Sequence, residues 1–121
     1  MTEHSHDHGR GVLQDLAPLG RDLKALIPGV YEGFGQLHNA AFADGAVDRK
    51  TKELLALAIA ISVRCDGCIA SHARGAATNG ATEAEVAETI GVAIAMSGGP
   101  GTVYGPRALA AFREFAPKSA D

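Results

Sequence analysis

The segment from Leu54 to Ile61 is the longest uninterrupted apolar stretch in this chain of 121 residues. It lies in a predicted helix over residues 49–63, whose first turn is polar and for which Asp48 is the predicted N-cap. A helix that is apolar on every side must be covered by neighbours within the chain, by a second subunit, or by both. The sequence therefore predicts a central helix, and it indicates an oligomer.

Two helices are predicted before this central one, because apolar side chains recur there every three or four residues. In the first, Pro18 is the predicted start and Pro28 closes the segment. The second is predicted to end at residues 44–45, where an Asp-Gly pair breaks the pattern.

Three helices are predicted after the central one. The fourth runs from near Asp66 to residues 79–80, where an Asn-Gly pair ends it. The fifth follows Thr82 and Glu85, which match a capping box, and the sixth is predicted to open at Pro106. The glycine-rich residues 97–101 between the last two are interpreted as a helix-to-helix turn, since no Gly-Lys-Ser/Thr sequence follows them. Because no segment alternates with a period of two, the predicted fold is all-α, a bundle of five to six helices.

Composition and charge exclude several classes of protein. Hydrophobic residues make up 46% of the chain, and 11 basic against 14 acidic side chains leave a formal charge of −3. This balance is typical of a globular protein, and it argues against a nucleic-acid partner, which would require a basic surface. The apolar stretch is too short to span a membrane, and the N-terminus does not resemble a secretory signal, so we expect a cytoplasmic protein.

The domain prediction separates residues 1–10 from residues 11–118. The first ten residues contain His4, His6 and His8 but almost no apolar side chains, and they are predicted to form a disordered tail. Metal binding by these alternating histidines is the alternative interpretation. Residues 11–118 are predicted to form a single helical domain.

Four reactive side chains fall within twenty positions, namely Glu53, Cys65, Cys68 and His72. The cysteines lie at the predicted start of the fourth helix, where unpaired backbone N–H groups and the helix dipole favour a thiolate. His72 follows Cys68 by four residues, so both lie on one face of that helix, one turn apart. The imidazole can therefore accept the thiol proton.

The position of Glu53 depends on how the chain folds back after the central helix. A straight helix would separate Glu53 from Cys65 by about 18 Å. If the third and fourth helices are antiparallel about Arg64, His72 faces residue 56, one turn from Glu53. The carboxylate is then predicted to orient His72 and to stabilise its charged form, which completes a nucleophile, a base and an orienting group.

Other interpretations of these residues stay open. Glu53 alone fits a first-turn helix acid, and His72 alone fits a packed histidine. Cys65, Cys68 and His72 are also possible zinc ligands, with Glu53, His38 or the tail as a fourth. His38 and Tyr104 are further candidates to line a site, and ordinary packing roles are their alternative.

The spacing Glu53-x11-Cys65-x2-Cys68-x3-His72 resembles the signature of the AhpD-like alkylhydroperoxidases, within the carboxymuconolactone decarboxylase superfamily. The resemblance covers about residues 30–115 and includes the glycine-rich residues 97–104. It implies an all-α fold and a homo-oligomer, a trimer or hexamer. It also implies peroxidase activity that uses the cysteine pair with no cofactor, neither haem nor metal.

The resemblance implies a role for each site residue. Cys68 is the cysteine that a hydroperoxide substrate oxidises to a sulfenic acid, and Cys65 resolves it into a disulfide. His72 and Glu53 form the proton relay, and a dithiol reductant, either a protein or a small molecule, reduces the disulfide.

The sequence departs from the family pattern between the cysteines. Asp66 and Gly67 stand where some characterised members carry a second histidine. The Asp66 carboxylate is expected to oppose thiolate formation by like-charge repulsion, and Arg64 to offset this in part.

Two rival functions remain. A carboxymuconolactone decarboxylase-like enzyme would transfer protons and would have no need of a dithiol. A redox-sensing or metal-binding protein would instead change its helix packing when the cysteines oxidise, without turnover.

Overall fold

The structure is a computed structural model that describes residues 7–118, and the chain in this range forms six helices and no strand. The helices are α1 (Arg10–Leu26), α2 (Pro28–Phe42), α3 (Arg49–Val63), α4 (Asp66–Thr78), α5 (Glu83–Ser97) and α6 (Gly99–Phe115). The predicted all-α fold is confirmed.

Helix α3 lies at the centre of the bundle, against α4, α5 and α6. It begins where predicted, because the Asp48 side chain accepts a hydrogen bond from the backbone N–H of Thr51 over 2.8 Å. Leu57 and Ile61 are completely buried, whereas Ile59 on the opposite side is 62% exposed. The chain therefore covers one side of this apolar helix and leaves the other side open.

The core lies between α3, α4, α5 and α6. Helix α4 contributes mainly alanine, and its small side chains let the neighbouring helices approach closely. Phe112 of α6 and Val86 of α5 fill the remaining space, and both are almost fully buried.

The turn from α3 to α4 contains a residue in the left-handed region. Arg64 has φ 59° and ψ 49°, and its backbone N–H bonds to Ile61. This turn reverses the chain, so α4 runs back along α3. Cys65 then becomes the N-cap of α4.

The boundaries of α4 and α5 agree with the sequence prediction. Gly80, with φ 85°, closes the turn after α4. The predicted capping box of α5 is present: the Thr82 N–H donates to Glu85 over 2.8 Å, and the Glu85 N–H donates to the Thr82 hydroxyl over 3.1 Å.

The predicted start of α1 at Pro18 is wrong, because α1 begins at Arg10 and contains that proline. The backbone N–H groups of Gly9 and Arg10 both bond to the Glu114 carboxylate on α6, which holds the first turn in place. Residues 7–10, placed in the tail by the sequence prediction, therefore lie against the bundle. His4 and His6 lie outside the described residues.

The predicted start of α6 at Pro106 is also wrong. Helix α6 begins at Gly99, with Pro100 in its first turn, and Pro106 lies within it. The helix starts earlier because Gly98 alone makes the turn from α5, with φ 72°. The interpretation of the glycine-rich segment as a helix-to-helix turn is confirmed, although the turn is shorter than expected.

Helices α1 and α2 lie on the outside of the bundle and contain no buried residue. Their exposed large apolar side chains are Leu16, Leu19, Leu23, Leu26, Val30, Phe34 and Leu37. Within residues 7–118, no helix combines the length and the hydropathy that a membrane span requires.

Candidate redox site

Cys65 and Cys68 form a disulfide at the start of α4. The Cys65 sulfur also accepts a hydrogen bond from the backbone N–H of Cys68 over 3.2 Å, as an N-cap group does. Cys68 is exposed and Cys65 is half-buried. The pair is thus accessible at the positive end of a helix dipole, an environment that stabilises a thiolate once the disulfide is reduced.

His72 lies one turn beyond Cys68 on α4 and contacts Glu53. Its Nδ1 donates to Glu53 Oε1 over 2.8 Å, so the fold-back of α4 on α3 brings these two predicted site residues together. Glu53 is only 2% exposed, and most of the other buried side chains are apolar. Because an ionised carboxylate accepts hydrogen bonds only, this contact places the proton on Nδ1 and leaves Nε2 as the proton acceptor in the neutral ring.

Arg49 is a site residue that the sequence analysis did not assign. Its Nε donates to Glu53 Oε2 over 2.9 Å, so both oxygens of the buried carboxylate are bonded. A buried carboxylate requires such partners, since an unpaired buried charge is strongly destabilising. The spacing of four residues between Arg49 and Glu53 on one predicted helix was the signal that would have found it.

Gly75 gives the Glu53 carboxylate its space. A Cβ on Gly75 would lie 2.8 Å from Glu53 Oε2 and closer still to Oε1, which is a steric overlap. Glycine within a helix costs about 1 kcal/mol relative to alanine, so its presence inside α4 is explained by this close approach.

Two aromatic rings of α2 cover the His72 ring. The Phe42 ring is stacked on His72 with centroids 5.2 Å apart, and His38 is stacked on Phe42 at 4.2 Å. The His38 and His72 centroids are 5.8 Å apart, and the Arg49 guanidinium lies 5.4 Å from the Phe42 ring centre. Of the two further candidates from the sequence, His38 therefore belongs to this site.

Tyr104 lies elsewhere. It stacks against Arg107 of α6 and lines a different cavity, of about 340 Å³, together with Asp66. Asp66 itself accepts a hydrogen bond from the Gly67 N–H over 2.7 Å. No ion pair between Arg64 and Asp66 occurs in the described part of the chain.

The described residues contain no group of three or more His, Cys, Asp and Glu side chains arranged to hold a metal ion. Of the possible zinc ligands, Cys65 and Cys68 form a disulfide, and His72 and Glu53 form an ion pair.

A cavity of about 260 Å³ lies beside the His72–Glu53 contact, and we call it the relay cavity. Its lining includes Arg49 of α3, His38 of α2, and Ser71, Arg74 and Thr78 of α4. The His72–Glu53 contact is therefore accessible from a side that is lined by polar groups.

The sequence model of the carboxymuconolactone decarboxylase family matches residues 28–115, from the first residue of α2 to the last of α6. The chain belongs to this family. The predicted resemblance to the AhpD-like proteins of the carboxymuconolactone decarboxylase superfamily is thereby confirmed.

Several known proteins are similar to the chain in sequence or in structure. Uncharacterized protein 4 in the cox locus of Paracoccus denitrificans is 40% identical over 83 residues, which are 69% of this chain and 75% of that protein. The crystal structure of an apo carboxymuconolactone decarboxylase family protein of Legionella pneumophila has a TM-score of 0.84 at 38% identity, covering 97% of this chain and all of that one. A Thermotoga maritima protein has a TM-score of 0.69 at 28% identity, with 78% and 88% of the two chains covered.

Proposed function

We propose that the protein is a thiol-dependent hydroperoxidase that reduces alkyl hydroperoxides through a Cys68 sulfenate resolved by Cys65. The observation that carries this proposal is the disulfide-bonded cysteine pair at the start of α4. It lies one turn from the His72 imidazole, which is hydrogen-bonded to the buried Glu53 carboxylate. A decarboxylase-like reaction would have no use for this pair.

The first step oxidises Cys68. Its thiolate attacks the terminal oxygen of the hydroperoxide, so that an S–O bond forms and the O–O bond breaks. The alkoxide leaves and takes the proton that His72 received from the Cys68 thiol, which gives the alcohol. Glu53 and Arg49 hold the imidazole in position for both transfers.

The second step forms the disulfide. The Cys65 sulfur attacks the Cys68 sulfur, an S–S bond replaces the S–O bond, and the departing hydroxide combines with the Cys65 proton to give water. The cysteine pair has then lost two electrons to the peroxide. An external dithiol restores the pair by thiol–disulfide exchange and is itself oxidised to a disulfide. The reverse exchange, in which the reduced cysteine pair reduces an external disulfide, would be a disulfide reductase activity.

The proposal includes a cytoplasmic homo-oligomer without a cofactor, as in the AhpD-like proteins that the sequence resembles. The exposed apolar residues of α1, α2 and α3 support self-association, because single-chain proteins rarely leave large contiguous apolar surfaces in water.

Sulfenate trapping tests the order of the two cysteines. After peroxide treatment, a sulfenic-acid probe should label Cys65→Ser, in which Cys68 cannot be resolved, and should leave Cys68→Ser unlabelled. The opposite labelling pattern would refute the proposed roles.

Peroxide consumption with different dithiol donors tests the activity itself. Glu53→Gln and His72→Asn should each lower kcat/KM by about 100-fold or more, since general acid–base groups contribute a factor of this size. Cys68→Ser should abolish turnover. Peroxide consumption that survives alkylation of both thiols would refute the proposed thiol mechanism. Lactone decarboxylation that survives alkylation would favour the decarboxylase-like alternative, and stoichiometric metal that is released on thiol oxidation would favour a metal-binding protein.

A further inference from the structure

The relay cavity lies on the same side of α4 as the reactive cysteine. Ser71 and His72, which line it, follow Cys68 by three and four residues, so these side chains share one face of the helix. The cavity continues along α4 past Arg74 to Thr78. Cys68 itself is not part of the lining, so a molecule in the cavity must extend along the helix beyond Ser71 and His72 to reach it.

The charges around the relay cavity favour an anion. Among the described residues that line it, two carry guanidinium groups, Arg49 and Arg74, and only Glu53 carries a carboxylate. Both oxygens of Glu53 are already bonded, one to His72 and one to Arg49.

Arg74 is the cation available to a ligand. Within residues 7–118 its guanidinium has no ion pair and no hydrogen bond, whereas Arg49 is engaged by Glu53. A guanidinium binds a carboxylate through two parallel hydrogen bonds, a geometry that a neutral amide or ester cannot match in strength. The hydroxyl groups of Ser71 and Thr78 lie at the same cavity and can add further hydrogen bonds.

We propose that the relay cavity binds the carboxylate of a small organic acid through Arg74, which makes carboxylate-bearing alkyl hydroperoxides the substrate class. The part that concerns hydroperoxides rests on the proposed function. Measured along the helix axis, the backbone position of Arg74 lies about 9 Å beyond that of Cys68, a separation that a medium-length alkyl chain spans. The cavity volume of about 260 Å³ is at the lower end for ligand sites, which fits a small acid better than a long lipid.

Anchoring at Arg74 would contribute to the reaction by orientation. It would hold the hydroperoxide end against Cys68, and His72 would lie beside the leaving oxygen. Binding energy from this remote, unreactive end of the substrate would then lower the cost of positioning the reacting atoms.

Ligand binding to the oxidised protein tests the site without any turnover. Hexanoate should shift the ring signals of His38 and His72 in NMR spectra, and hexanamide, which has the same size and no charge, should not. Arg74→Gln should weaken hexanoate binding by about tenfold, the usual effect of losing a charge-assisted contact. Arg21→Gln removes the same charge from the exposed surface of α1 and should bind hexanoate as the wild type does.

Kinetics test the substrate class. With 6-hydroperoxyhexanoate, Arg74→Gln should lower kcat/KM by about tenfold, mainly through KM, and the loss should be much smaller with 6-hydroperoxyhexanamide. Arg21→Gln should leave the turnover of both compounds unchanged. Equal kcat/KM values for acid and amide in the wild type would overturn the substrate class. Hexanoate binding that is unchanged in Arg74→Gln, or phosphate binding as tight as hexanoate binding, would overturn the carboxylate site. If hexanoate binds as expected but no hydroperoxide is consumed, the carboxylate site stands and the proposed peroxidase is wrong.

Discussion

At the scale of single residues, the candidate site depends on groups that take no part in bond making. Arg49 neutralises and positions Glu53, and Gly75 leaves room for its carboxylate. Phe42 covers one face of the His72 ring. Each of these residues contacts Glu53 or His72, so in the proposed reaction each is a positioning residue.

Replacing Gly75 by alanine tests this dependence. The new Cβ would overlap the Glu53 carboxylate, so the carboxylate must move away and its hydrogen bond to His72 breaks. We expect Gly75→Ala to lower peroxidase kcat/KM by at least about tenfold and to shift the His72 ring signals in NMR spectra.

The matched control is Gly91→Ala, in the middle of α5. Nothing lies within 4 Å of a Cβ at that position, so alanine should keep full activity and stabilise the protein by about 0.5–1 kcal/mol. Wild-type activity and unchanged His72 signals in Gly75→Ala would show that the relay does not need this space.

The sequence predicted the reactive residues better than the residues that pack around them and position them. Glu53 and His72 follow from a spacing that matches a known pattern, and the turn at Arg64 makes the fold-back that joins them. Gly75 and Phe42 contact the relay only through tertiary packing. Sequence periodicity does not distinguish them from other small or aromatic residues on the same helices.

At the scale of helices, the polar end groups and the break at Pro28 were predicted correctly, whereas the helix starts at Pro18 and Pro106 were not. The side chains at Asp48 and Thr82 bond to their own helices, which are local interactions that sequence encodes directly. Pro18 and Pro106 lie inside α1 and α6, and each removes one backbone hydrogen bond from its helix. The first turn of α1 is fixed instead by the bonds from Gly9 and Arg10 to the distant Glu114, which a local sequence pattern does not predict.

The capping box of α5 predicts a specific response to acid. The Thr82 backbone N–H, followed by Lys50, lowers the pKa of Glu85 below its ordinary value of 4.5. The unfolded chain therefore binds a proton more readily than the folded one. The stability that this carboxylate contributes is present above pH 4.5 and is lost as the pH falls through the lower folded pKa.

Urea unfolding between pH 6 and pH 3 measures this effect. Glu85→Gln keeps an acceptor at the capping position but does not titrate, so its free energy of unfolding should fall less steeply with acid than that of the wild type. Glu88→Gln removes a carboxylate of α5 that has no partner within residues 7–118, and it should retain the wild-type slope. Identical slopes for Glu85→Gln and the wild type would contradict the prediction.

At the scale of the whole molecule, the outer helices α1 and α2 bury none of their residues within the chain. Phe34 and Leu37 of α2 are 63% and 65% exposed, and α3 leaves Ile59 open. The all-round apolar pattern of α3 predicted that neighbours within the chain, a second subunit, or both must cover this helix, and it indicated an oligomer. How the remaining surface is covered depends on contacts between chains, which a periodic pattern does not specify.

Charge insertion on α2 tests whether that surface joins subunits. Light scattering should show a trimer or hexamer for the wild type, and Leu37→Glu should reduce the mass toward that of one chain, because a buried charge disfavours association. Gln36→Glu adds the same charge at the neighbouring exposed position and should leave the mass unchanged. A wild-type protein that stays monomeric at high micromolar concentration would refute self-association.

The rings over His72 come from α2, a helix that buries none of its own residues. Within one chain, few contacts between α2 and the other helices hold these rings over the imidazole. If subunit association seats α2, each imidazole acquires its complete surroundings only in the assembled protein. The proposed peroxidase activity per subunit would then fall on dilution, and it would be complete only where the protein's own concentration keeps the subunits together.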